Sequence, residues 1–231
     1  MRIIDMPLRG IHKTIFEPLR FDAGAPERGG RMGGVTLGFP VWEAQWMLVN
    51  DMTEQASEEW RAFLIRLRGS QRYFYGFDHK RRFPRTYPDG FDGMTRAGGG
   101  AFPGSATSWS QTIDSHDDAL VTLNGLPAGL VIQVGDYIGF KWDAAGSAVG
   151  SFDRRTVVRL VENTTASGAG VAIANVEPPV NVQAVPSFAI AHLDEPRCLM
   201  RSVPDQSQLG SIGPLLNIAG GSISAVQDLR P

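Results

Sequence analysis

The sequence contains little of what disulfide frameworks, metal sites and membrane spans are built from. Its single cysteine, Cys198, excludes an intrachain disulfide and a cysteine-based zinc site. The four histidines are scattered, without the spacing of a metal site: His12, His79, His116 and His192. The N-terminal segment carries charges throughout, and no run approaches the roughly 18 apolar residues of a membrane span. We therefore expect no signal peptide, no membrane contact and assembly in a reducing compartment.

An excess of charge of either sign is also missing. Lys+Arg number 22 and Asp+Glu number 24, which gives a net charge of −2. A protein whose whole role is to coat nucleic acid would be strongly basic. In contrast, 27 glycines and 15 prolines are more than an average chain carries, and they favour a mainly β protein with many turns.

No catalytic motif stands out in the sequence. None of its serines lies in a G-x-S-x-G elbow, and the Gly98–Gly100 run lacks the ending of a phosphate loop. The segment His116–Asp118 could supply acid–base groups, but its composition is more typical of a solvated turn. We therefore predict that the chain is not an enzyme and binds neither a cofactor nor a metal ion.

The first half of the chain contains one strong strand and one strong helix. Residues 36–50 place apolar side chains on alternate positions, as in a half-buried strand. Residues 54–68 show a helical apolar stripe, with Thr53 as N-cap and Gly69 as the stop. The core anchors predicted for this pair are Trp42, Trp46, Trp60, Phe63, Leu64 and Leu67.

The composition changes near residue 97, where short alternating runs separated by turn signals begin. Five or six short strands in this part suit a small barrel or sandwich. Further strands follow at 197–203 and 223–229, and we expect them to pair with the first half. The predicted organisation is a hub domain of residues 1–105 and 194–231, interrupted by a small β domain of residues 106–193.

Basic residues concentrate between positions 61 and 85, interleaved with aromatic ones. Such a cluster could grip phosphate backbones, or it could pair with carboxylates of a neighbouring subunit. The slightly acidic whole chain favours protein contacts over specific nucleic-acid binding. The predicted subunit-contact residues are Arg61, Arg68, Arg81, Arg82 and Arg85, with Asp89 and Asp92 as possible partners.

Three segments together resemble the distal tail proteins of long-tailed bacteriophages, the hub between tail tube and tail tip. They are the helix EWRAFLIRLRG at 59–69, the aromatic segment ending in Gly76-Phe77-Asp78, and the segment VGDYI at 134–138. The resemblance extends from about residue 33 to the end of the chain. Residues 1–32 match nothing in this pattern.

The resemblance implies a mainly β fold and a structural role in the virion. It implies a β-sandwich hub with one helix, a peripheral inserted barrel of the oligonucleotide/oligosaccharide-binding (OB) type, and a homohexameric ring around the DNA channel. The implied partners are other copies of the chain, the tail tube protein and the tail tip protein, assembled in the host cytoplasm as part of a baseplate. The alternative is a carbohydrate-binding tail module, in which Trp109, Tyr137 and Trp142 would stack on sugars.

Overall fold

The computed structural model describes residues 3–26, 32–145, 152–210 and 221–229. Within them lie one α-helix, α1 (Glu54–Leu67), a short 3₁₀ turn (Pro204–Gln206) and seventeen strands. The strands are β1 (Ile3–Asp5), β2 (Ile11–Leu19), β3 (Asp22–Pro26), β4 (Met32–Thr36), β5 (Val41–Leu48), β6 (Tyr73–Gly76), β7 (Ser108–Ile113), β8 (Ala119–Asn124), β9 (Val131–Ile132), β10 (Tyr137–Trp142), β11 (Arg154–Leu160), β12 (Thr164–Thr165), β13 (Ala172–Glu177), β14 (Ile190–His192), β15 (Cys198–Ser202), β16 (Gln208–Leu209) and β17 (Gly221–Gln227). The prediction of a mainly β protein with a single helix is confirmed.

The hub sheet contains seven strands in the order β1-β6-β15-β17-β5-β2, with β16 paired to β17. Its pairs are antiparallel except β1 with β6. The C-terminal strands β15 and β17 pair with β6 and β5, as predicted for the tail of the chain. The sequence did not predict β1 and β2, which extend the sheet at both of its edges.

Helix α1 packs on one face of the hub sheet because both carry the expected apolar periodicity. Strand β5 alternates strictly, with Trp42 and Trp46 among its buried residues. The N-cap Thr53 accepts a hydrogen bond from the Ala56 amide, and Arg68 adopts the left-handed conformation that ends the helix. All six predicted core anchors lie in or against one hydrophobic cluster, with Leu64 only partly buried: Trp42, Trp46, Trp60, Phe63, Leu64 and Leu67.

A second sheet of six strands has the order β14-β10-β11-β13-β8-β7. Its two end strands approach each other, since the Ala106 amide donates to the Ala191 carbonyl at 2.9 Å and Ser105 bridges to His192. These contacts close the sheet into a small barrel. An OB-fold has five strands, so the OB-type assignment stays a prediction.

Most of the long loop between β6 and β7 packs on the barrel, while its first residue, Phe77, is buried in the hub cluster. Phe91 and Phe102 are buried in the barrel cluster, and Phe83, Tyr87 and Met94 pack against it. The sequence assigned this loop to the hub domain, because its residues precede the strand-rich segment. The predicted domain boundaries at 105/106 and 193/194 stay predictions, although the Leu193 amide does donate to the Gly104 carbonyl at 2.7 Å.

Candidate interaction surface

The hub and the barrel are joined by buried hydrogen bonds along β11. Trp42 in the hub donates its indole N–H to the Val157 carbonyl at 2.7 Å. The side chain of Gln227 accepts from the Trp42 amide at 3.1 Å and donates to the Thr156 hydroxyl at 2.6 Å. All these groups are buried in the joined structure, so each depends on a partner within the chain at this junction.

Aromatic side chains and ion pairs extend this junction to its rim. Tyr137 from the barrel contacts Phe16 and Trp42 edge-on, with ring centroids 5.8 and 5.7 Å apart. At the rim, Arg159 of the barrel lies 2.9 Å from Glu17 of β2. Burial is the main cause of the raised pKa of Tyr137. The phenol therefore stays neutral at the junction.

The basic loop after β6 is tied to the barrel through one buried carboxylate, that of Asp136. Its two oxygens accept hydrogen bonds from the Gln133 amide at 2.8 Å and the Arg85 amide at 3.2 Å. The Arg85 guanidinium lies 3.6 Å from the same carboxylate and also donates to the Val134 carbonyl. Asp136 is a positioning residue that the sequence analysis quoted in the VGDYI segment without giving it a role.

Two further arginines of the loop also bind within their own chain. Arg81 donates to the Gly135 carbonyl at 2.7 Å. Gly135 has a φ of +83°, and a Cβ there would lie 2.6 Å from the Arg81 guanidinium, so this contact requires glycine. Arg82 pairs with Glu195, which also binds Arg197.

The loop arginines that were predicted to contact another subunit already have partners within their own chain. Arg81, Arg82 and Arg85 were predicted to contact a neighbouring subunit, whereas each contacts the barrel or the segment that follows it in the same chain. On the helix, Arg61 lies 3.6 Å from Glu58, and Arg68 is exposed at the helix end. Their role in contacts between subunits stays a prediction.

A two-stranded ribbon made of β3 and β4 is highly exposed; we call residues 21–26 and 32–37 the arm. All five residues of β3 are exposed, and the strands of the arm pair chiefly with each other. Phe21, Val35 and Leu37 expose 44, 63 and 72% of their surfaces. A ribbon of two strands is only marginally stable by itself, so these apolar side chains mark a surface suited to a partner.

The aromatic residues proposed for sugar stacking are covered to different extents. Tyr137 and Trp142 are buried, and the half-buried Trp109 packs edge-on against Phe140 with its indole N–H bonded to the Ala189 carbonyl at 2.7 Å. Tyr137 and Trp142 therefore present no open ring face, and the stacking role of Trp109 stays a prediction. Exposed aromatic faces would be needed to bind sugar rings.

Two other sequence motifs have the structural roles expected of them. Asp114 accepts hydrogen bonds from the amides of His116 and Asp118, which makes this segment an exposed turn. Cys198 is fully buried in β15, and burial raises the pKa of its thiol. The thiolate is therefore disfavoured at neutral pH.

Two histidines are held neutral by their surroundings. Burial and the nearby Lys141 lower the pKa of His192 to about 3, and its Nδ1 lies 2.6 Å from the Asp194 carbonyl oxygen. Burial lowers the pKa of His79 to about 4, with a further contribution from Arg82. Both rings are therefore uncharged near neutral pH.

The chain matches no protein-family model, and no curated protein matches its sequence. Across the described ranges, no three histidine, cysteine or acidic residues are grouped closely enough to hold a metal ion. None of the helical segments in those ranges is long and apolar enough to cross a membrane.

Proposed function

We propose that this protein is a structural subunit that assembles with copies of itself into a ring in a phage tail. The observation that carries the proposal is the arm, whose exposed apolar residues Phe21, Val35 and Leu37 belong to neither hydrophobic cluster of the described residues. An arm that leaves one subunit and packs on the next in the same sense makes a heterologous contact, and such contacts form a ring where the rotation between subunits closes.

The position in the tail rests on the resemblance carried by the helix at 59–69 and the VGDYI segment at 134–138. On that basis the ring is a hexamer that joins the tail tube to the tail tip around the DNA channel. The junction of hub and barrel supports such a role, because a ring under mechanical load needs subunits whose parts do not separate. The proposed partners are the tail tube protein and the tail tip protein.

The oligomeric state of the full chain tests the proposal. Mass photometry and negative-stain images over rising protein concentration are expected to show a closed ring. The double variant Val35→Asp/Leu37→Asp is expected to remain folded and monomeric, because it places two charges on the contact surface of the arm. The matched control is Ile173→Asp, an equally exposed apolar position on the barrel at 58% exposure, which should leave the ring intact.

Two results would contradict the proposal. If the parent chain stays monomeric at the highest soluble concentration, the proposed ring is wrong. Assembly of the arm variant with the same concentration dependence as the parent would show that the arm is not the contact.

A further inference from the structure

A cleft of about 300 Å³ lies between the hub edge strand β2 and the start of the basic loop. Its walls include His12 and Thr14 from β2 and His79, Lys80 and Arg82 from the loop. The register of β2 shifts between Ile11 and Lys13, so that a bulge lies beside the cleft. None of the residues that form the walls is acidic.

Unpartnered polar atoms are concentrated at this cleft. Among the described residues, seven buried side-chain nitrogen or oxygen atoms make no close hydrogen bond, and four of them belong to Thr14, His79 and Arg82. The backbone of Phe77 and of Pro7 lies near enough to the His79 ring to raise its pKa by hydrogen bonding, against the larger effect of burial. The Thr14 hydroxyl and Nε of Arg82 are therefore the unpartnered atoms of the cleft. Buried polar groups normally have partners, so this concentration indicates an absent one.

The charge around the cleft is also uncompensated. Glu195 is shared between Arg82 and Arg197, so one carboxylate serves two guanidinium groups. Lys80 is exposed, and within the described chain it has no ion pair. The nearest acid on the loop, Asp78, lies 4.0 Å from Arg81 and caps the Lys80 amide. An anion in the cleft would therefore meet net positive charge.

We propose that this cleft binds a phosphate group, either free or as the ester of a small molecule. An ammonium, a guanidinium Nε, a hydroxyl and two imidazoles approach from two separate segments of the chain. A tetrahedral phosphate offers acceptor oxygens in several directions, whereas a carboxylate offers two in one plane. Small side-chain movements would bring the unpartnered atoms of Thr14 and Arg82 to the ligand. This site is independent of the oligomeric state.

Titration of the full chain with inorganic phosphate, followed by the ring signals of His79 in NMR spectra, tests the proposal. We expect saturable shifts at pH 7 that sodium chloride of equal ionic strength does not produce. Bound phosphate should also raise the pKa of His79 from about 4, by roughly 1–3 units, because a nearby anion stabilises the imidazolium ion.

Two lysine variants show whether the effect belongs to the cleft. Lys80→Ala is expected to weaken phosphate binding at least tenfold, since it removes the exposed ammonium of the cleft wall. Lys13→Ala is the matched control on β2, at an exposed position outside the walls, and should bind like the parent. Equal losses in both variants, or no saturable shift in the parent, would overturn the proposal.

Two other ligands identify the chemistry and source of the bound group. Acetate that binds as tightly as phosphate would overturn the choice of a tetrahedral anion. A mononucleotide that binds more tightly than inorganic phosphate upholds the site and assigns it to a phosphate ester. If the mononucleotide binds more weakly than inorganic phosphate, the site is confirmed and its ligand is the free phosphate ion.

Discussion

The carboxylate of Asp136 offers the most direct test of how the basic loop is held. Its side chain is fully buried and accepts hydrogen bonds from two backbone amides, those of Gln133 and Arg85. Asp136→Ala leaves both amides without a partner, and each such loss costs about 1–3 kcal/mol. We therefore expect a loss of about 2–6 kcal/mol in the free energy of unfolding, measured at pH 7 by chemical denaturation with tryptophan fluorescence.

Two further variants separate the hydrogen bonds from the ion pair. Asp136→Asn can accept from one amide only, and its own NH₂ group meets the other donor, so the loss should still be about 1–3 kcal/mol. Arg85→Ala should cost at most about 1 kcal/mol, because this guanidinium is 45% exposed and lies 3.6 Å from the carboxylate. An Asn variant as stable as the parent, or an Arg85 variant as unstable as Asp136→Ala, would refute this reasoning.

Two other predictions concern the hub core and a buried histidine. Trp60→Ala should lower the free energy of unfolding by roughly 3–5 kcal/mol, because the Trp60 ring is fully buried against Phe63. The control Ile65→Ala, on the exposed helix face, should change it by less than about 0.5 kcal/mol. The pKa of His192 is lowered to about 3 in the folded chain. Because the unfolded side chain titrates near 6.5, stability is lost as the pH falls below that value, by about 2 kcal/mol at pH 5. Denaturation at pH 7 and pH 5 should show a loss about 2 kcal/mol larger in the exposed-turn control His116→Asn than in His192→Asn, in which the lowered pKa of His79 remains; an equal loss in both variants would contradict it.

The elements that the sequence predicted well are those whose stability is encoded locally. The alternation of β5 and the caps and apolar stripe of α1 lie within single segments. The helix formed with nearly the predicted bounds, whereas the strand predicted at 36–50 is shorter, because β5 covers Val41–Leu48 and Thr36 ends β4. Strand β2 was missed because its sequence, IHKTIFEPL, does not alternate and ends near a proline. It is held by long-range pairing with β5, which no local pattern shows.

The candidate surface was predicted only in part, for a similar reason. The basic residues of the loop were found from their composition, but their partners lie far away in sequence: Gly135 for Arg81, Asp136 for Arg85 and Glu195 for Arg82. Only the folded loop brings these groups together. The sequence signal at position 136 was an aspartate between a glycine and an aromatic residue, inside a segment rich in strand-forming residues.

The arm and the junction are connected through the residues at the base of the arm. Arg20 directly precedes the arm and pairs with Glu177 of β13 in the barrel. Glu17, three residues earlier on β2, pairs with Arg159 of β11. The strand that leads into the arm is therefore held to the barrel by two ion pairs, while the arm itself lies beyond them. A partner that packs on Val35 and Leu37 is thus placed relative to the barrel as well as to the hub sheet. If the chain assembles through the arm, the contact that closes the ring also fixes the position of each barrel in the ring.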